Sequence, residues 1–165
     1  VSRNTFHEPT MLITLRPITD SDLPIFFDQQ LDATANFMAA FTAKDPADRD
    51  AFAKHWERIR ADATVVLQTI VVEGQVAGYV GSYVQMGEPE VTYWIGKEFW
   101  GKGVATTALA LFLEEQRQRP IFARAAKDNT ASLRVLQKCG FQITGEDKGF
   151  ANARNAETEE YILQL

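Results

Sequence analysis

One stretch constrains this chain more than any other. Val91-Thr-Tyr-Trp-Ile95 has the residue types of a β-strand, Gly96, Gly101 and Gly103 punctuate the loop after it, and Val104-Ala-Thr-Thr-Ala108 begins a helix. A helix start exposes several unpaired backbone N–H groups and carries partial positive charge. Glycines just before it let a bulky anion approach the backbone. The stretch therefore reads as a seat for a phosphorylated ligand, against the plainer reading of a glycine-containing turn with no ligand. Two nucleotide loops fit it poorly. Gly96, Gly101 and Lys102 have the spacing of G-x-x-x-x-G-K-[ST], but Gly103 stands where the magnesium-binding hydroxyl belongs. Gly101, Gly103 and Thr106 approach G-x-G-x-x-G, yet no acidic residue lies near position 121 to hold a ribose.

The 165 residues suit one domain with a real core: residues 11–165 as a single unit, preceded by a loosely ordered arm over 1–10. Residues 1–10 lack the apolar stretch of a secretory signal, and no apolar run approaches the ~20 residues of a membrane span. A single cysteine, Cys139, excludes an internal disulfide and suits a reducing cytoplasm; its apolar setting at a helix end gives it a structural role. The net charge of −5 argues against a partner held through nucleic-acid phosphates and is compatible with a cationic substrate. His7 and His55 have no companions at metal-ligand spacing, so no metal is expected.

Along the chain, Met11–Ile18 reads as a strand, and Asp20 or Ser21 caps a helix to about Asp28. Asp32–Asp45 is polar and irregular, and Pro46–Ala61 is helical by the recurrence of Ala47, Ala51, His55, Trp56 and Ile59. Thr64–Val72 and Gln75–Tyr83 form a hairpin about Glu73-Gly74, followed by a strand over Glu90–Gly96 and a helix over Gly103–Arg119. Then come a strand over Ile121–Ala126, a helix over Ser132–Lys138 closed by Gly140, and strands over Phe141–Gly145 and Glu159–Leu165. Strands in the first half and strand–helix alternation in the second predict an α/β protein with a mixed sheet covered by helices.

The ordered set Tyr93-Trp-Ile-Gly96, Trp100-Gly-Lys-Gly-Val-Ala105, Asn129-Thr-Ala-Ser132 and Gly140-Phe141 resembles the GNAT acetyltransferase superfamily. So does the opening Leu15-Arg16-Pro17 with Asp20-Ser-Asp-Leu23, and the closest branch is the RimJ/RimL-like one. The resemblance covers nearly the whole chain after residue 11. It implies a twisted, mostly antiparallel sheet of about seven strands, splayed after the fourth and flanked by about four helices. It also implies transfer of an acetyl group from acetyl-CoA, a cosubstrate, to the primary amine of a small molecule or a protein N-terminus, by direct attack in a ternary complex. No membrane and no nucleic acid would be partners, the setting would be cytoplasmic, and a homodimer is allowed.

By the same resemblance, backbone amides around Trp100, Gly101, Lys102, Gly103, Val104, Ala105 and Thr106 hold the pyrophosphate. Tyr93-Trp94-Ile95 pairs with pantetheine as a peptide pairs with a sheet edge, and Asn129 binds the arm from the other side, with helix capping as its structural alternative. Glu90, three residues before Tyr93, is the base for the amine, with Glu88 the runner-up and a solvated carboxylate the plainer reading. Trp100 stands where the family usually has Gln or Arg, and Leu136 where many members have the tyrosine acid; Ser132 is the acid candidate in its place, with an ordinary first-turn helix serine as the plainer reading. The missing tyrosine keeps a second reading open, a non-catalytic acyl-CoA-binding module. Acceptor choice is assigned to Asp32–Arg60 and to Glu146–Asn155, a segment that either closes over the acceptor or connects strands.

Overall fold

The computed structural model describes residues 10–165, so the arm expected over residues 1–10 lies, up to residue 9, outside the described residues. Seven strands form one sheet in the order β1-β2-β3-β4-β5-β7-β6. The first four, β1 (Ile13–Pro17), β2 (Val66–Val72), β3 (Gln75–Gln85) and β4 (Glu88–Ile95), are antiparallel neighbours. Two-residue turns make this possible. Glu73-Gly74 and Met86-Gly87 both hold positive φ at both positions, the turn whose twist matches paired strands. The second turn was not anticipated, and it starts β4 at Glu88 rather than Glu90. β5 (Phe122–Ala126) runs parallel to β4 and antiparallel to β7 (Ala156–Gln164), which pairs with the edge strand β6 (Gln142–Ala151).

Five α-helices cover the sheet among the described residues, one more than expected. On one face lie α1 (Leu23–Gln30), α2 (Ala33–Ala39) and α3 (Arg49–Ala61). Phe26 of α1 and Trp56 of α3 close on Tyr79 of β3 with ring centroids 5.1–5.3 Å apart. α2 is the helix that its polar sequence concealed: the Asp32 carboxylate accepts from Ala35 N–H at 2.8 Å to start it, and Ala40 at φ 66° ends it. On the other face, α4 (Val104–Glu115) buries Val104, Ala108, Leu109, Phe112 and Leu113, one apolar stripe at helical spacing. α5 (Thr130–Lys138) adds Leu136 to the same core, with Ile70, Val80, Val91, Ala123 and Leu163 from the sheet. α4 stops at Glu115 rather than Arg119, because the Arg119 guanidinium turns back to donate to the carbonyls of Leu113 and Gln116.

Two expected boundaries are corrected. Asp22, not Asp20 or Ser21, ties down the start of α1: its carboxylate accepts from Thr19 N–H at 2.9 Å and from both terminal nitrogens of Arg16. The segment Glu146–Asn155 is no loose connection. Residues 146–151 extend β6, and only a short turn over Asn152–Asn155 joins it to β7.

Candidate active site

β4 and β5 meet at a single register pair, Glu90 opposite Phe122. Beyond it β4 stays with β3 while β5 turns away with β7, so the sheet forks. Gly96 donates to Ala77 at 2.8 Å, which fixes the alternation along β4. Thr92 and Trp94 spend their backbone groups on β3, whereas Tyr93 directs both of its groups, and Ile95 its N–H, into the fork. The structure thus separates three residues expected to act alike. Trp94 has no backbone group for the cleft, and its indole N–H points to the Gln29 carbonyl of α1, 3.4 Å away.

The loop from the fork to α4 is built around two glycines. Gly101 and Gly103 both sit at φ +74°, and a Cβ on either would meet nothing within 4 Å. Left-handed backbone explains why both are glycine, and the open space leaves room for a ligand. Trp100 fixes the loop by donating its indole N–H to the Ile95 carbonyl at 2.8 Å. Among the described residues, the N–H groups of Gly101, Lys102, Gly103, Val104, Ala105 and Thr106 find no protein acceptor, between Trp100, which donates to Lys97, and Thr107 of α4, which donates to Gly103. Six consecutive open donors at the positive end of a 12-residue helix make an anion seat. Lys102 is exposed beside them.

The two faces of the fork are chemically different. Tyr93 lies on the α4–α5 face, and its hydroxyl is 2.5 Å from Ser132 Oγ at the start of α5. Burial pushes the Tyr93 phenol up to about 12. Asn129 caps α5 by accepting from Ser132 N–H at 3.3 Å and donates to the Met38 carbonyl of α2 at 3.2 Å, so its amide is occupied within the protein. Leu136 is buried in the core and offers no hydroxyl. Cys139 donates its thiol to the Thr106 carbonyl, and burial raises its pKa, which keeps it a packing residue.

On the opposite face, three residues away along β4, Glu90 is 5% exposed. Tyr83 donates its hydroxyl to Glu90 Oε2, and Arg124 Nε donates to Oε1 at 3.1 Å. Arg124 also reaches Asp147 and Glu160, each at 2.9 Å. Desolvation works against the Arg124 cation, but the bonds to Glu160 and Asp147 outweigh it and raise its pKa. Burial, then Glu90, push the Tyr83 phenol up. Three carboxylates on one guanidinium leave an excess of negative charge beside the fork. Glu88 is exposed at the start of β4, opposite Gln85. Sequence reasoning missed Tyr83, Arg124, Asp147 and Glu160. Arg124 carries a visible signal, since it is the one charged residue in a strand otherwise made of Phe122 and alanines.

The β6–β7 turn closes on α2. Arg154 forms a bidentate pair with Asp128 at 2.7 and 2.8 Å and lies 4.6 Å over the Phe37 ring. A surface cavity of about 310 Å³ lies between α2, residues 42–47 and Ala153. It falls between the two segments assigned to acceptor choice. Among the described residues, no three His, Cys, Asp or Glu side chains converge as metal ligands, and no helix is long and apolar enough to cross a membrane.

A sheet forked after its fourth strand, with an anion seat at the following helix, defines a class, and comparison with known proteins agrees. Residues 13–142 match the acetyltransferase (GNAT) domain. The chain belongs to that family, whose members are acyl-CoA-dependent N-acyltransferases. It is 28% identical over 136 residues, 74% of each chain, to the "Putative ribosomal N-acetyltransferase YdaF" of Bacillus subtilis (strain 168). The fold is similar to Mycobacterium smegmatis RimJ in complex with CoA-disulfide, with a TM-score of 0.79 and 22% identity over 93% of this chain and 81% of that one. It is also similar to a ribosomal-protein-alanine N-acetyltransferase from Brucella melitensis, with a TM-score of 0.71 and 25% identity over 93% and 98% of the two chains. These relatives bear out the RimJ/RimL-like resemblance and weigh against a binding module without catalysis.

Proposed function

We propose that the protein is an N-acetyltransferase that moves an acetyl group from acetyl-CoA to a primary amine by direct attack in a ternary complex. The observation that carries this reading is the run of six open backbone N–H groups at residues 101–106, placed directly beside the unpaired edge of β4. The amides receive the diphosphate of coenzyme A, a compound that the M. smegmatis protein of similar fold binds as a disulfide. Tyr93 and Ile95 offer backbone groups to the pantetheine arm and an N–H to the thioester carbonyl, where negative charge grows as the amine attacks.

The acceptor enters from the α1–α3 face, where Glu90, Asp147 and Glu160 favour a cation. It must lose a proton before attack, which at pH 7 costs ~1 kcal/mol for an α-amine and ~4.6 kcal/mol for a lysine side chain. Glu90 serves as the base, held in place by Tyr83 and Arg124. The nitrogen forms its bond to the carbonyl carbon, the carbon–sulfur bond breaks, and sulfur leaves with the electron pair. The small cost for an α-amine, together with the names of the relatives, puts a protein N-terminus first among acceptors.

A screen of thiol release from acetyl-CoA across N-terminal peptides, amino acids, polyamines and aminoglycosides tests the reading. Turnover with N-terminal peptides is expected, and turnover confined to another amine class would move the acceptor assignment. Absence of release across the whole panel would remove the proposed activity.

A further inference from the structure

The leaving sulfur needs a partner, and Leu136 of α5, which stands where the resemblance places an acidic tyrosine, is buried in the core. A different tyrosine reaches the same helix from across the fork. Tyr93 belongs to β4, Ser132 to the first turn of α5, and their hydroxyl oxygens are 2.5 Å apart. Side chains bridge β4 to the far arm of the fork on both faces: Glu90 with Arg124 on one, Tyr93 with Ser132 on the other. Tyr93 also opens its own backbone groups into the cleft. Within the acetyl-transfer reading, on which this inference rests, we propose that Tyr93 is a positioning residue: its hydroxyl donates to Ser132 Oγ and turns the Ser132 proton into the cleft, toward the departing sulfur.

Either hydroxyl can donate in this pair, and the Ser132 carbonyl lies 3.4 Å from the Tyr93 hydroxyl as a longer alternative acceptor; we take the phenol as donor to Oγ. A phenol is a far stronger acid than an aliphatic hydroxyl, so Tyr93 is the better donor and Ser132 Oγ the better acceptor. Burial keeps Tyr93 protonated at working pH. Ser132 N–H is already spent on Asn129, so backbone and side chain of Ser132 are both fixed before substrate arrives. With its oxygen occupied by Tyr93, the serine has its own O–H free to donate. When the carbon–sulfur bond breaks, sulfur keeps the electron pair and Ser132 O–H donates a hydrogen bond to the thiolate; the proton that Glu90 took from the nitrogen passes to bulk water, and the thiolate takes one proton from that water to complete the thiol. No residue ends with a changed charge. A thiol of pKa ~8.5 leaves as a thiolate without full proton transfer, so one oriented donor suffices.

The test reads the sulfur directly. Bound coenzyme A is titrated by the ultraviolet absorbance of its thiolate in wild-type, Tyr93→Phe, Ser132→Ala and doubly substituted protein. The wild type should hold the bound thiol about one unit lower than either single variant, about tenfold in thiolate population. With acetyl-CoA, each single variant should lose about tenfold in kcat with KM for acetyl-CoA within about twofold, and the double variant should match Ser132→Ala. A packing role for Tyr93 would not move the thiol titration. Coenzyme A bound by Tyr93→Phe with a wild-type titration would overturn the inference and leave acetyl transfer standing. Additive losses in the double variant would overturn it as well. A wild-type protein that takes up no coenzyme A would overturn acetyl transfer and this inference together.

Discussion

Glu90 and Asp22 are both buried carboxylates on an arginine, yet they have different consequences. Asp22 binds Arg16 of β1 through both oxygens, accepts from Thr69 of β2 at 2.7 Å, and receives Thr19 N–H, so one side chain joins two strands to α1. Burial alone would raise its pKa, but the bonds from Arg16, Thr19 and Thr69 outweigh it and hold the carboxyl well below the usual range. A carboxyl depressed in the folded state contributes stability above its unfolded pKa of ~3.9 and loses it as pH falls through the folded value. Urea unfolding midpoints should therefore fall below pH ~4 in the wild type, and Asp22→Asn should lack that part of the slope and lose about 3–5 kcal/mol at neutral pH. Glu90 belongs to a cluster with charge to spare, shared among Arg124, Asp147 and Glu160. Glu90→Gln should cost about 10²- to 10⁴-fold in kcat with binding of acetyl-CoA retained, measured by thiol release and calorimetry. Full activity in that variant would remove Glu90 as the base.

Elements were legible where their signals are local. The loop into α4 declares itself because Gly101 and Gly103 must hold positive φ and the apolar stripe from Val104 to Leu113 repeats at helical spacing. Gly103→Ala should weaken coenzyme A binding by tenfold or more, while Gly74→Ala, at a similar φ in a distant hairpin, should leave binding unchanged; each costs about 1–2 kcal/mol of stability. α2 was hidden because its seven residues carry no clear apolar face, and what orders it is remote in sequence. Asn129 and Arg154 both bond its backbone carbonyls, at Met38 and Phe37. Arg154→Ala should accordingly raise hydrogen exchange in α2 without changing α4. The outer half of β6 was hidden for a related reason. Glu146, Asp147 and Lys148 show no hydrophobic alternation, and their strand is held by charge pairs to Lys127, Arg124 and Glu157.

At the scale of the whole molecule, the fork turns one sheet into two half-sites. Its α4–α5 face holds the open amides, Tyr93 and Ser132; its α1–α3 face holds Glu90 and the surplus carboxylates. The sequence motifs pointed to the residues proposed for the first half-site nearly one by one, because an open helix start is a property of one short stretch. The second half-site was readable only at Glu90. Tyr83, Arg124, Asp147 and Glu160 come from four strands, and only the register of the finished sheet brings them together. The backbone between residues 101 and 106 is proposed to grip a diphosphate, and amide NMR during titration with acetyl-CoA tests this directly. The amide resonances of Gly101 to Thr106 should shift together and most strongly, with Tyr93 and Ile95 following. Saturable binding that leaves those six resonances in place, or no binding at all, would contradict it.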